Sequence, residues 1–293
     1  MFKKNKLHIS ISAHGGSSGG GANTFAWNFC RYLNRKKITT TNYLINASHA
    51  IVISNKVNKL ALKIAKARGC FILHRLDEEF QSGVPFISKH RQILKINKLA
   101  DVTVFQSNYV KDNVLPYLQT KNWEIILNGA DSEIFPFHSK IGPYVGHVTN
   151  SVGGKKRLDI LDNIITRYPQ EKFLLVGNHK NYSNDFSRHS NVTMIDTVSK
   201  KELSKLHKQM KCLFFPSEKD PCPNTVVESI LSGIPVCYNI IGGTKEIVRD
   251  CGLPLNQFDN LLAKSHTYHE KCAKRQDLYF DRVAEKYLEL LDI

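Results

Sequence analysis

The strongest constraint on this chain is a repeated alternation. Short apolar runs of four to six residues alternate with amphipathic stretches of seven to fourteen, and the series occurs twice. In the first half the strand-like runs are LHISIS (7–12), YLIN (43–46), AIVIS (50–54), CFILH (70–74), VTVFQS (102–107) and EIILN (124–128). Helical spacing follows in 24–35, 56–67, 87–100 and 108–118. In the second half the runs are 144–148, 172–177, 191–195, 212–217 and 234–239, with helical stretches at 155–168, 199–210, 225–232, 244–250 and about 278–291. Such alternation predicts an α/β protein with parallel sheets wrapped by helices.

A polar break over DSEIFPFHSKIGP (131–143) parts the two series. A chain of 293 residues is long enough for two cores. The expected organisation is an N-terminal Rossmann-like domain over 1–137 and a C-terminal one over 138–277. A last helix within 278–293 is expected to pack back on the first.

Charge narrows the partners. The formal net charge is +15, which favours an anionic partner. Residues 1–137 hold 19 Lys+Arg and 8 Asp+Glu, a balance of +11, while the remainder holds 22 and 18, a balance of +4. Lys56, Lys59, Lys63 and Lys66 are spaced three, four and three apart, on one face of a predicted helix beside Val57, Leu60 and Ile64. That stripe is either a solvated face or a docking face for anionic lipid or an anionic acceptor.

The seven cysteines include no C-x-x-C pair, so they read as reduced thiols rather than a disulfide frame or a zinc site. The start, MFKKNKLHISISA, reads as a first strand rather than a signal peptide. No apolar run is long enough to span a membrane. The expected location is cytoplasmic, with a peripheral membrane contact allowed by the charge.

Two stretches have the form of ligand loops. The first is SAHGGSSGGGANTF (12–25), with five glycines in seven residues between a strand and a helix. Gly15, Gly16, Gly19 and Gly20 would let backbone approach a phosphate at the helix N-terminus. The loop lacks the Lys-Ser/Thr ending of a P-loop, and a tight structural turn would use the same residues.

The second is DPCPNTVVESILSG (220–233), which joins a strand end to a helix. Thr225 and Glu228 fit a T-x-x-E capping box, and Gly233 with Pro235 fits a helix stop. The loop also falls at the carboxyl edge of a sheet, where α/β proteins bind ligands. The amides of Asn224, Thr225 and Val226 would then face an anion, with Asp220 and Glu228 accepting from sugar or ribose hydroxyls.

These pieces together resemble a GT-B glycosyltransferase, and within that fold family 4, the retaining glycosyl transferases group 1. That family carries an acidic residue, seven intervening residues and a Glu before a helix ending in G-x-P. Here Asp220, PCPNTVV, Glu228 and SILSGIPV stand in that order, with Asp where the family usually has Glu. The resemblance implies that Asp220 contacts the donor sugar and Glu228 holds the ribose. The glycines of IIGGTKEIV (240–248) resemble the family's next loop, and NGADSEIF (128–135) resembles its interdomain hinge. IDTVSKKEL (195–203) resembles the stretch facing the base, which implies Thr197 and Val198. YVGHVTNSVGGKKRLD (144–159) resembles the loop that gives an Arg and a Lys to the donor diphosphate. The Lys falls on Lys156, with Lys155 adjacent. The Arg position falls on His147, a departure that leaves the second cation open, with Arg157 as the alternative. HRLDEEF (74–80) resembles the segment near the reacting carbon, giving His74 and Asp77 as candidates, although a core role fits His74 as well.

The resemblance implies a nucleotide-sugar donor between two domains, held mainly by the second. It implies retaining transfer of a glucose- or mannose-type hexose from a UDP- or GDP-sugar to a glycan or lipid hydroxyl. Lys156 and the helix start at 224–226 would stabilise the leaving diphosphate. With those groups in place, and no D-x-D pair, neither metal nor other cofactor is expected. Three other readings stay open. They are a nucleotide-sugar-binding module with lost catalysis, an epimerase of the same architecture, and a basic nucleic-acid-binding protein, for which no reading motif is present.

Overall fold

The structure, a computed structural model, describes residues 6–10, 20–80, 87–180, 182 and 185–293. The chain forms two compact units, Met1–Asn128 with Phe280–Ile293, and Gly129–Tyr279. The divisions thus fall at 128/129 and 279/280, where the sequence pattern suggests 137/138 and 277/278.

In the first unit β1 (Leu7–Ile9), β2 (His49–Ile53), β3 (Phe71–Leu76), β4 (Val102–Phe105) and β5 (Trp123–Ile125) form a parallel sheet in that order. Its helices are α1 (Gly21–Arg35), α2 (Lys59–Ala67), α3 (Ser88–Asn97), α4 (Asn108–Val114) and the C-terminal α11 (Phe280–Leu291). Strand β2 shows how both faces are covered. Ile51 and Ile53 join Phe25, Phe29 and Tyr287 in a core under α1 and α11. Ala50 and Val52 point the other way, into a core with Leu62 and Ala65 of α2. A strand buried on both faces reads as a continuous apolar run, which is why AIVI is legible as a parallel strand.

The last helix belongs to this first unit. Phe280 packs tilted on Phe25 at 5.9 Å between ring centroids, and Tyr287 on Phe25 at 5.0 Å. On the far side of β1, Thr40 makes a single parallel bridge to Leu7. The chain therefore steps from β1 outward to Thr40 and then back across to β2. Gly15, Gly16 and Gly19 lie outside the described residues.

Two expectations for this unit are corrected. YLIN (43–46) is not a strand. Leu44–Asn46 form one 3-10 turn that buries Leu44 against the α2 core and leaves Tyr43 70% exposed. The four lysines do not share one helical face either. Asn58 caps α2 through Ala61 N at 3.0 Å, so Lys56 precedes the helix. Lys66 is ion-paired with Asp101. The apolar neighbours also split. Val57 packs on the core, while Leu60 and Ile64 face solvent.

In the second unit β6 (Tyr144–Thr149), β7 (Lys172–Gly177), β8 (Val192–Ile195), β9 (Met210–Phe215), β10 (Val236–Tyr238) and β11 (Gly252–Pro254) form a parallel sheet. Its order is β11-β10-β9-β6-β7-β8. The helices are α5 (Leu158–Arg167), α6 (Lys200–His207), α7 (Asn224–Leu231), α8 (Thr244–Val248), α9 (Phe258–Ala263) and α10 (Ser265–Cys272). One core joins Val145, Phe173, Cys212 and Phe214 of the strands to Leu161, Ile165, Phe258 and Leu261 of α5 and α9. Strand β11 and helices α9 and α10 are absent from the sequence pattern. All seven cysteines are free thiols, six of them buried.

Candidate functional site

The strand order of the second unit reverses between β6 and β9. From β6 the chain winds through β7 to β8 on one side, and from β9 through β10 to β11 on the other. Loops at the carboxyl ends of two strands that wind apart leave a crevice between them, the usual ligand position in an open α/β sheet. Here those loops are residues 150–157 and 216–223.

The two loops are tied together. Glu218 N donates to Lys155 O at 2.9 Å. Arg157 takes the left-handed conformation at φ 48° and starts α5. Its guanidinium donates to Asp159 at 2.8 and 3.0 Å and to Glu218 at 3.2 Å. Those carboxylates push its pKa further up. Arg157 is therefore a loop clamp, committed to two carboxylates. Lys156 points the other way and reaches Asp220 Oδ2 at 3.2 Å. Lys155, next to it, is exposed.

A third loop holds Asp220 from behind. Gly242, after β10, has φ 128°, and a Cβ there would lie 2.9 Å from Asp220 N. The backbones are that close because Gly243 N donates to Asp220 O at 2.9 Å and Lys219 N to Ile241 O at 2.7 Å. Only glycine satisfies both the conformation and the contact. The backbone of Asp220 is thus fixed by sheet-like pairing, with its side chain 20% exposed beside Lys156.

Helix α7 begins two residues earlier than the T-x-x-E pattern suggests. Pro223 is its N-cap, and no side chain caps it. The capping box is accordingly not formed, because Thr225 sits inside the first turn. Of the three amides expected to face an anion, that of Val226 is taken by Pro223 O at 3.1 Å. Those of Asn224 and Thr225 have no protein acceptor among the described residues. At the other end Gly233, with φ 88°, follows the helix, and Ile234 N returns to Ser229 O at 2.9 Å.

Glu228, free of a capping role, is 1% exposed. Its Oε1 accepts from Lys200 Nζ at the start of α6, while Oε2 is buried without a partner among the described residues. Burial raises its pKa, and Lys200 partly offsets this. A buried acceptor lacking a donor costs about 1–3 kcal/mol, which an incoming hydroxyl would recover. Lys200 was not anticipated from the sequence. Thr197 and Val198 lie just past β8, exposed and half-buried, in the loop that Ser199 closes by capping α6.

His147 does not supply a second cation in this arrangement. It lies 1% exposed within β6, with Nδ1 2.7 Å from His179 Nε2. Burial, His179 and Lys156 hold its pKa well below the usual value, so the ring is neutral. His179 is held down to about 4 by burial.

The first-unit candidates sit at β3. His74 is fully buried, with Nε2 donating to Ser54 O at 2.8 Å and Nδ1 accepting from Asn97 at 3.1 Å. Both ring nitrogens are engaged, and burial lowers its pKa to about 4. His74 is a framework residue here, the core role that its sequence position also allowed. Asp77 follows the strand, 3.5 Å from the buried Arg75, with Oδ1 unpartnered among the described residues. Burial raises its pKa. Arg75 itself stacks on Phe25 at 4.1 Å and donates to Asn128 and Tyr287. Gly20 precedes α1 with φ 87°.

Two parallel-sheet α/β units, the second with a lysine–carboxylate pair at its switch point, define the class: this is a GT-B fold. Residues 133–273, all within the second unit, match the family described as Glycosyl transferases group 1. HepE from Anabaena, solved with UDP, superposes with a TM-score of 0.78 at 14% identity, covering 98% of this chain and 99% of that one. Sucrose-phosphate synthase from Thermosynechococcus elongatus gives 0.75 at 13% identity, over 99% and 98%. A glycosyltransferase from Rickettsia africae gives 0.71 at 13% identity, over 98% of each chain. No protein of curated function matches the sequence at a significant level. The resemblance read from the sequence thus holds for the fold and for the group.

Proposed function

We propose that the protein is a retaining hexosyltransferase. It moves a glucose- or mannose-type sugar from a UDP- or GDP-sugar to a hydroxyl of a glycan or lipid. The observation that carries this reading is the Lys156–Asp220 pair at the switch point, beside a helix start with two uncommitted amides. A cation and preorganised N–H donors are what a departing diphosphate needs. Asp220 would take a donor sugar hydroxyl, and Glu228 Oε2 the ribose. Thr197 and Val198 would lie along the base. Asp77 and the glycines at 15–20 are the first-unit candidates.

Front-face substitution guided by the leaving phosphate fits this set, since Lys156 and the free amides of Asn224 and Thr225 would all serve the leaving group. Charge stabilisation by Lys156 and α7 makes a divalent metal unnecessary, so activity should survive chelation with EDTA. HepE has been solved with UDP-glucose, which supports placing that donor first in a test panel. Calorimetric titration against UDP- and GDP-sugars, followed by proton NMR of the product anomer, tests the reading. Inversion at the anomeric carbon would overturn retention. Free thiols fit a cytoplasmic location, and among the described residues no helix is long and apolar enough to cross a membrane.

One observation favours a second reading. The neutral His147 and the committed Arg157 leave Lys156 without an obvious cationic partner. A donor-binding module with weak catalysis would look like this. Tight donor binding without slow hydrolysis to free sugar would support it over the transferase.

A further inference from the structure

A groove of about 590 Å³ runs between α2 and α3 in the first unit, away from any residue assigned above. Its floor is apolar, formed by Leu62, Ile96 and Leu99, with Leu60 exposed at its edge. Its rim is cationic, formed by Lys59 and Lys63 of α2 and Lys95 and Lys98 at α3. All four lysines are exposed, and none has an ion-pair partner among the described residues. A second hollow of about 270 Å³ shares Lys59 and Lys95 and adds Arg91. Residues 56–68 and 87–100 contain nine Lys+Arg and no Asp or Glu. Within this field Leu60 is 69% exposed and Ile64 42%.

We propose that this groove docks the first unit on an anionic lipid bilayer. Leu60 and Ile64 would enter the headgroup–acyl boundary, and the rim lysines would meet lipid phosphates. An exposed leucine flanked by lysines on one helix is the pattern of an interfacial surface. The charges that line the two hollows are all of one sign, which complements a fluid polyanion that needs no fixed register. A protein partner is the weaker match, because lysine is depleted at protein–protein interfaces while arginine and aromatic residues are enriched. The proposal does not rest on the donor reading, since the groove contains no residue of that site.

The test is sedimentation of the full chain with vesicles of phosphatidylcholine alone or mixed with phosphatidylglycerol, at low and high salt. Wild type should bind only the anionic vesicles, and less so in high salt. Lys59→Gln, Lys63→Gln, Lys95→Gln and Lys98→Gln together should weaken that binding on the order of 10³-fold at low salt. A charge-matched control changes Lys172, Lys201, Lys264 and Lys274 of the second unit to Gln and should bind nearly as wild type. Leu60→Ser with Ile64→Ser should also weaken binding, with unfolding unchanged because both side chains are exposed. The proposal fails if wild type ignores anionic vesicles, including the case where it instead binds an acidic amphipathic peptide. It fails equally if the groove and control variants lose the same affinity, or if the Leu60/Ile64 variant binds like wild type.

Discussion

Lys156 Nζ lies 3.2 Å from Asp220 Oδ2, although 64 residues separate them in the chain. The contact exists because β6 and β9 are neighbours and their carboxyl-end loops are joined through Lys155 O and Glu218 N. Both side chains remain partly exposed, at 27% and 20%. Ion pairs of that exposure contribute roughly 0–1 kcal/mol to stability. The pair therefore holds two groups ready at little cost to the fold when a ligand takes either of them.

Lys156→Ala should lower turnover on the order of 10²–10³-fold, the effect of losing one preorganised charge-stabilising group. The melting temperature should change little, for the reason just given. Steady-state kinetics with the preferred donor, beside thermal unfolding, measure both. Undiminished turnover would remove Lys156 from the diphosphate.

Glu228 gives a pH signature. Burial raises its pKa above the ordinary carboxyl value, so it protonates sooner as the medium is acidified. On the proposed reading the carboxylate is the form whose Oε2 would accept from the ribose. Donor affinity should thus fall as pH drops from 7 towards the raised pKa, and Glu228→Gln should be weaker at pH 7 and flatter across the range. The folding contribution has the opposite sense. A raised carboxyl pKa means that the folded state holds its proton longer, so this group's share of stability declines as pH rises through that window. Titration of UDP binding at several pH values separates the two. Equal affinity of wild type and Glu228→Gln at every pH would leave Glu228 as a partner of Lys200 alone.

Much of this site was legible because its residues lie in contiguous loops. Asp220, Asn224 and Lys156 follow strand ends, and strand ends are marked by the apolar runs before them. What the sequence concealed was set by partners far along the chain. The pattern T-x-x-E suggested that Glu228 caps its own helix, but Lys200, 28 residues earlier, takes that carboxylate. His147 falls where the resemblance implies a cation, but burial within β6, with His179 and Lys156 beside it, keeps the ring neutral. YLIN has a strand's composition, yet Leu44 alone finds a core to enter, so the segment turns. Strand β11 is three residues with a proline, too short to carry a period.

Gly242→Ala tests whether backbone geometry positions Asp220. A Cβ at φ 128° would be strained and would meet Asp220 N at 2.9 Å and Asp220 O at 3.0 Å. The neighbouring atoms are backbone, so relief requires the 218–221 loop to move. Turnover should fall by at least about 10-fold, since small displacements of positioned groups carry penalties of that order. Asp220→Ala in the same background should add less than it does alone, because the two changes act on one group. Fully additive effects would show that the glycine serves only the fold.

The buried histidines predict acid sensitivity in the first unit, where both tryptophans, Trp27 and Trp123, report unfolding by fluorescence. His74 has its pKa lowered from 6.5 to about 4, first by burial, with the Ser54 carbonyl acting the other way. A depressed histidine pKa means that the unfolded chain takes up a proton that the folded one refuses. The stabilisation is therefore complete above pH 6.5 and is lost as pH falls towards 4. At 1.36 kcal/mol for each pKa unit, the loss reaches about 3 kcal/mol. His8, His49 and His90 are shifted the same way by burial and add to the slope. Replacing His74 with Gln should lower stability at neutral pH, because Ser54 O and Asn97 lose well-placed partners. It should also make stability less dependent on pH between 6.5 and 4, by the share of one proton. Urea unfolding followed by tryptophan fluorescence at pH 7.5, 5.5 and 4.5 measures both effects. An unchanged slope in His74→Gln would mean that the ring takes up its proton in the folded protein as readily as in the unfolded one.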